Sequence, residues 1–185
     1  MNKAGVKTIK RRRRENKTDY LRRLKLLKSW KPRIVFRKTN RYFIAQYVTS
    51  KEAQDKIEFG VNSRILLKYG WPKEASLKTI PASYFLGYYF GRRIIAENLE
   101  EPIIDFGMTQ TIHKNKLYAF IKGLIDSGLK ISCKKEAFPD EERIKGEHLK
   151  NKIKFAEILK KISASTKLGT QDFADIEIKS KVDKL

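Results

Sequence analysis

Apolar and polar positions along the chain change period several times, and each change marks an element. Residues 1–15 have no apolar period, so an extended, flexible arm is expected there in the absence of a partner. A helical period follows: Tyr20, Leu24 and Leu27 share one face, ringed by Arg22, Arg23, Lys25 and Lys28. Asn16 or Thr18 is the expected cap, with Asp19 in the positive first turn. Trp30 and Pro32 mark the exit near Lys28. The stripe is expected to dock on the body while the cations face away from it.

Three strand patterns come next. Arg33 to Lys38 carries Ile34, Val35 and Phe36, and Tyr42 to Val48 is rich in aromatic and β-branched residues. Lys56 to Val61 alternates, with Ile57, Phe59 and Val61 expected inside. Thr39-Asn40-Arg41 is short enough for a hairpin turn, so the three strands read as an antiparallel meander. A short helix capped by Asn62 or Ser63 should end at Gly70. A longer one should open at Pro81 and run to about Asn98. Gly87 and Gly91 lie inside it, which predicts close packing against a neighbour.

Ile103 to Phe106 reads as a short buried strand. Leu117, Phe120, Ile121, Leu124 and Ile125 give a periodic helix over 116–128, and Leu129 to Ser132 a final short strand. Strand, helix and strand in that order predict a right-handed parallel crossover. The fold class expected is α/β: a mixed sheet of three antiparallel strands extended by a βαβ unit. Three regions follow: a basic arm at 1–15, a basic helix and globular domain at 16–138, and a charged helical extension with its tail at 139–185. Within the last, a helix to Ile162 and a linker at 163–170 are expected.

Composition narrows the chemistry. The 185 residues contain 42 Lys or Arg and 21 Asp or Glu, a net charge of +21, while 41% are hydrophobic, enough for a core. The excess is lopsided: residues 1–41 hold 17 cations against Glu15 and Asp19, a net +15, leaving +6 for the rest. Such density is self-repelling and calls for a polyanion. Arg11 to Arg14 are four guanidiniums in a row, able to grip phosphates bidentately and to stack on bases. One cysteine, Cys133, and two histidines, His113 and His148, exclude a disulfide framework and a protein-built zinc cluster. The longest nearly apolar run, Ile80 to Gly91, is too short to span a bilayer. The N-terminal charges have no apolar segment behind them, so no secretory signal is expected.

Nucleic acid is therefore the expected partner. Lys10 to Arg14 and Lys17 would neutralise phosphates, with Arg22, Arg23, Lys25 and Lys28 extending the track. The hairpin Arg37-Lys38-Thr39-Asn40-Arg41 offers a second contact, Asn40 being able to bond a base or a 2′-hydroxyl. His113-Lys114-Asn115-Lys116 is a third basic patch, and Tyr20 is placed either to stack on a base or to pack. A nuclease with a two-metal carboxylate site is the competing reading. Asp105 sits at a strand end as such a ligand would, yet no partner set accompanies it, so a structural acceptor is the simpler role. A DNA-compacting protein is a further alternative.

The ordered combination of several stretches resembles a known family. They are Arg11 to Tyr20 (RRRRENKTDY), Arg22 to Lys28, Lys31 to Asn40, Ala45-Gln46, Tyr69-Gly70-Trp71, and Pro81 to Tyr84 with Gly87 and Gly91. Asp105-Phe106-Gly107, Lys116 to Gly128, Phe138-Pro139 and Arg143 to His148 complete the set, which covers about residues 8 to 150. Together they are similar to the universal 5S rRNA-binding ribosomal protein of the large subunit, number eighteen in the standard naming. The branch resembled is archaeal and eukaryotic, with an archaeal length. The resemblance implies a cytoplasmic, ribosome-bound, non-enzymatic protein that binds 5S rRNA and seats it on the large-subunit rRNA beside other ribosomal proteins. It implies no cofactor, metal, membrane or small-molecule substrate. It also implies a ribonuclease H-like topology and adds Arg143 and His148 as a second rRNA contact.

Overall fold

The computed structural model describes residues 8–149 and 152–165. Its elements are α1 (Arg11–Arg14), α2 (Tyr20–Leu27), β1 (Arg33–Lys38), β2 (Phe43–Lys51), β3 (Gln54–Asn62), α3 (Ile80–Ala96), β4 (Ile103–Asp105), α4 (Lys116–Asp126), α5 (Glu141–Lys145) and α6 (Phe155–Ser165). Short 3₁₀ turns span Ser63–Tyr69 and Lys135–Ala137. The sheet is mixed, in the order β3-β2-β1-β4. β1 pairs antiparallel with β2, and β2 with β3, while β4 joins β1 in parallel through Arg33↔Ile103 and Val35↔Asp105.

Strand alternation decides which face carries the core. Ile34 and Phe36 of β1, with Phe43, Ala45 and Tyr47 of β2, are buried under α3 and α4. Phe36 stacks between Phe43 and Phe120, with ring centroids 5.3 Å and 4.3 Å away. Arg33, Val35 and Arg37 point to the opposite face. α3 and α4 approach backbone to backbone: a Cβ on Gly87 would strike the Phe120 carbonyl, and one on Gly123 the Tyr84 carbonyl. The glycines expected to permit close packing do so, Gly91 against the Ser127 hydroxyl. Ile144 of α5 and Ile158 and Ile162 of α6 join the same core.

The structure departs from expectation at several places. Residues 11–14 form one helical turn rather than an extended segment; the Arg14 amide donates to the Lys10 carbonyl at 3.0 Å. The cap of α2 is Asp19, whose carboxylate accepts from the amides of Leu21 and Arg22 at 3.0 and 3.1 Å. Asp19 outcompetes Asn16 and Thr18 because its carboxylate also meets the positive end of the helix. The expected stripe of α2 docks only in part: Tyr20 and Leu27 are half-buried, while Leu24 is 52% exposed.

β2 and β3 are longer than their apolar patterns and meet at Glu52-Ala53, both with positive φ (47° and 66°), the geometry of a tight hairpin turn usually supplied by Asn-Gly. A register shift between Tyr47 and Val48 leaves Glu58 without an opposite residue, and Ile57 pairs with Val48. That bulge reverses the alternation, so Ile57 is 53% exposed instead of inside.

No strand forms at 129–132. The Ile131 amide donates to the Leu129 carbonyl at 3.0 Å, a local turn that removes it from any ladder. The parallel neighbour of β4 is β1, reached through the meander and α3. The charged helix expected from Asp140 to Ile162 is two helices, because Gly146 ends α5 in the left-handed region (φ 82°). α6 runs to Ser165, so the expected linker begins inside a helix and the rest of it lies outside the described residues.

Candidate nucleic-acid interface

α2 is tied to the sheet by its arginines, at Gly107 just after β4 and at Asp55 of β3. Arg22 Nη1 donates to the Gly107 carbonyl at 3.0 Å, and Arg23 Nη2 meets Asp55 at 2.8 Å. Asp55 is shared: Arg33, only 1% exposed, reaches its other oxygen at 2.6 Å and also donates to the Ser50 hydroxyl at 2.9 Å. Burial pushes the Asp55 carboxyl up, but the Ser50 hydrogen bond and the guanidiniums of Arg23 and Arg33 outweigh it. Its pKa lies below the usual carboxylate value.

Asp105 is the second anchor. Its Oδ1 accepts from the Gly107 amide at 2.7 Å, and its Oδ2 meets Arg37 at 3.2 Å and Arg33 at 3.7 Å. Gly107 has φ +60°, and a Cβ there would press on the Arg37 guanidinium. The acid at the strand end is thus surrounded by cations and a backbone N–H, as a structural acceptor is. Among the described residues there is no group of three or more His, Cys, Asp or Glu able to hold a metal ion. No helix among them is long and apolar enough to cross a membrane.

The predicted cations divide into two sets. Some are occupied by the protein itself: Arg22, Arg23 and Arg37 as above, Arg12 on the Thr18 hydroxyl at 2.8 Å, and Lys17 on Glu15 at 2.8 Å. Lys114 is paired with Asp140 at 3.1 Å. Lys10 lies 4.6 Å from the centroid of the Tyr20 ring, so one face of that ring is already covered by a cation. The others are exposed: Arg11, Arg13 and Arg14 on α1, Lys25 and Lys28 on and just after α2, Lys38 and Arg41 at the β1–β2 hairpin. Among the described residues none of these pairs with a carboxylate. α1 and α2 therefore present a cationic track whose inner members are fixed to the body and whose outer members face solvent.

The hairpin is closed by Thr39 and Tyr42, the Thr39 amide donating to the Tyr42 carbonyl at 3.0 Å, which leaves Asn40 and Arg41 exposed at the tip. The third patch is not separate from it. Burial first, then the charges of Lys78 and Lys38, lower the Lys116 pKa, so these three lysines feel one another's charge. Lys78 was invisible in the sequence as a member of this cluster, since nothing in a local pattern ties residue 78 to 38 or 116. Arg143 and His148 are exposed, but they share their segment with Asp140, Glu141, Glu142 and Glu147. Those acids oppose an approaching phosphate.

The family described as "Ribosomal large subunit proteins 60S L5, and 50S L18" matches residues 5–102. A relative from Korarchaeum cryptofilum (strain OPF8), named "Large ribosomal subunit protein uL18", is 43% identical over 150 residues, covering 80% of this chain and 76% of that protein. The sheet, the basic helix and the tight Gly107 turn that clasps Arg37 all fall within that similarity or border it, and the chain belongs to this family of large-subunit ribosomal proteins, in its archaeal-type branch.

Proposed function

We propose that this chain binds 5S rRNA and helps fasten it to the large-subunit rRNA, beside neighbouring ribosomal proteins on cytoplasmic ribosomes, without catalysing a reaction. The observation that carries the reading is the division of the cations. Arg22, Arg23, Arg33 and Arg37 are fixed to Asp55, Asp105 and the Gly107 carbonyl. Arg11, Arg13, Arg14, Lys25 and Lys28 stay exposed on the same helical segment. Phosphates supply the counter-charge that the protein withholds, with release of condensed counterions as the driving term. Lys38, Lys78 and Lys116 form a second contact, with Asn40 and Arg41 at the hairpin tip reaching a base or ribose. Arg143 and His148 are the weakest members of the proposed interface because of the acids around them.

Crosslinking the protein to RNA in cells and sequencing the bound fragments tests this. 5S rRNA should dominate, with large-subunit rRNA second. In vitro, equal affinity for 5S rRNA and for a random duplex of the same length at physiological salt would refute the specificity.

A further inference from the structure

Trp30 combines two features that neither packing nor backbone preference explains. The residue is 81% exposed, the highest among the exposed large apolar residues of the described chain. Its φ is +56°, the left-handed region in which a bulky residue is an outlier and glycine the default. The position closes α2: the Trp30 amide donates to the Leu27 carbonyl at 3.1 Å. Two residues on, the Pro32 carbonyl accepts from the Ile103 amide at 2.9 Å and anchors the chain to β4. Held from both sides, the backbone turns the indole outward. A lone exposed apolar residue needs no explanation, but one placed at a conformational cost does.

We propose that Trp30 is a stacking platform for an unpaired base of the RNA that this protein binds. Lys28 and Lys31 flank it and both are exposed. The exposed cations of α1 and α2 lead to it, so the surroundings of the indole suit a strand of phosphates. An apolar protein surface would leave that charge unmatched, and a planar base suits the exposed indole face better than a carboxylate does. Indole accepts any base on its π-face, and a ring pinned at a helix end loses little freedom on binding. This inference rests on the RNA-binding reading above.

Trp30 and Trp71 are the two tryptophans of the chain, and Trp71 is buried, so the exposed indole can be followed separately. Full-length protein, Trp30→Phe, Trp30→Ala and Trp30→Gly are titrated with 5S rRNA by fluorescence and by filter binding. The emission lost in Trp30→Phe should be the emission quenched by RNA in the wild type. Trp30→Ala should weaken binding by about fivefold to a hundredfold, the range for one base–aromatic stack, with the salt slope unchanged; Trp30→Phe should retain most of the affinity. Trp30→Gly removes the backbone conflict, so its thermal midpoint should equal or exceed the wild type while its affinity falls as far as that of Trp30→Ala. Wild-type affinity in Trp30→Ala, or an unquenched indole on a protein saturated with RNA, overturns the proposal and leaves RNA binding intact. Shielding of Trp30 only when other ribosomal proteins are added also overturns it, by making the residue a protein contact. Failure of the wild type to bind 5S rRNA is a different result, which refutes the RNA reading and this inference with it.

Discussion

Arg37 and Asp105 stand 68 positions apart and are joined twice: Arg37 Nη1 donates to the Asp105 carbonyl at 2.8 Å, and Nη2 meets its carboxylate at 3.2 Å. The pair crosses the parallel seam between β1 and β4, where only three residue pairs hold the ladder. Asp105→Ala removes the acceptor of two guanidiniums and of the Gly107 amide. It should cost about 1–3 kcal/mol of stability, the range for leaving a buried donor such as the Gly107 amide without its acceptor, because Arg33 keeps Asp55 and Arg37 is partly solvated. Asp105→Asn keeps an oxygen for Gly107 and should lose less. Urea denaturation measures both; a loss below about 1 kcal/mol in the alanine variant shows the seam stable without the pair.

Asp55 gives a pH signature. Its folded pKa lies below the ordinary carboxylate value, so its contribution is fully present above about pH 4. It should fade as pH falls through the folded pKa. The urea midpoints of wild type and Asp55→Asn should therefore differ at neutral pH and converge in acid. Parallel curves down to the acid limit would show that Asp55 does not carry the effect.

The lysine cluster works in the opposite sense. Burial and the charges of Lys78 and Lys38 disfavour the Lys116 ammonium, so the cluster strains the free protein below the lowered pKa, and the strain relaxes as pH rises past it. Lys116→Gln should raise the thermal midpoint of the free protein. The same change should weaken 5S rRNA binding and reduce the salt slope by about one contact. A variant that is both less stable and equally avid for RNA would remove Lys116 from the interface.

The exposed arginines of α1 should act on affinity alone. Replacing Arg11, Arg13 and Arg14 with alanine should leave the thermal midpoint unchanged and flatten the dependence of log K on log salt by about two to three units. Lysine at the same positions keeps the charge but not the bidentate fork, so the loss should be intermediate. Isothermal titration across a salt series separates the three proteins.

Gly123→Ala should be severe, because the new methyl would sit on the Tyr84 carbonyl where α4 meets α3. Separating two packed helices costs about 1–3 kcal/mol and often more. Gly60→Ala, which meets mainly the flexible Gln46 side chain, is the mild control.

The meander, α3, α4 and their glycine contacts were legible because each carries its own period and each buried face is apolar. α2 was legible as a helix but not in its attachment: Tyr20, Leu24 and Leu27 read as a docking stripe, yet Leu24 is exposed, and Arg22 and Arg23 hold the helix down through Gly107 and Asp55. Hydrophobic spacing shows which residues share a face and is silent on whether that face turns inward. The Glu52-Ala53 turn was hidden because neither residue favours positive φ, so only the ladder enforces it. Leu129 to Ile131 has the composition of a strand but spends its amide on a local turn. In the candidate interface, the arm, helix and hairpin cations stood out by density. Which of them were already occupied depended on acids far away in sequence, and Lys78 joined its cluster only through the tertiary fold.

β3 is the outermost strand of the sheet, and among the described residues no strand pairs with its outer edge. A row of unpaired backbone groups invites the same strand of another molecule. Here Lys56 and Glu58 stand exposed along that border, and the irregularity at Glu58 bends it out of plane. A newly made copy that has not yet met its RNA is thereby a poor template for its siblings. The kink that spoiled the inside–outside pattern of Ile57 doubles as insurance against edge-to-edge aggregation, so the chain can wait in solution for assembly.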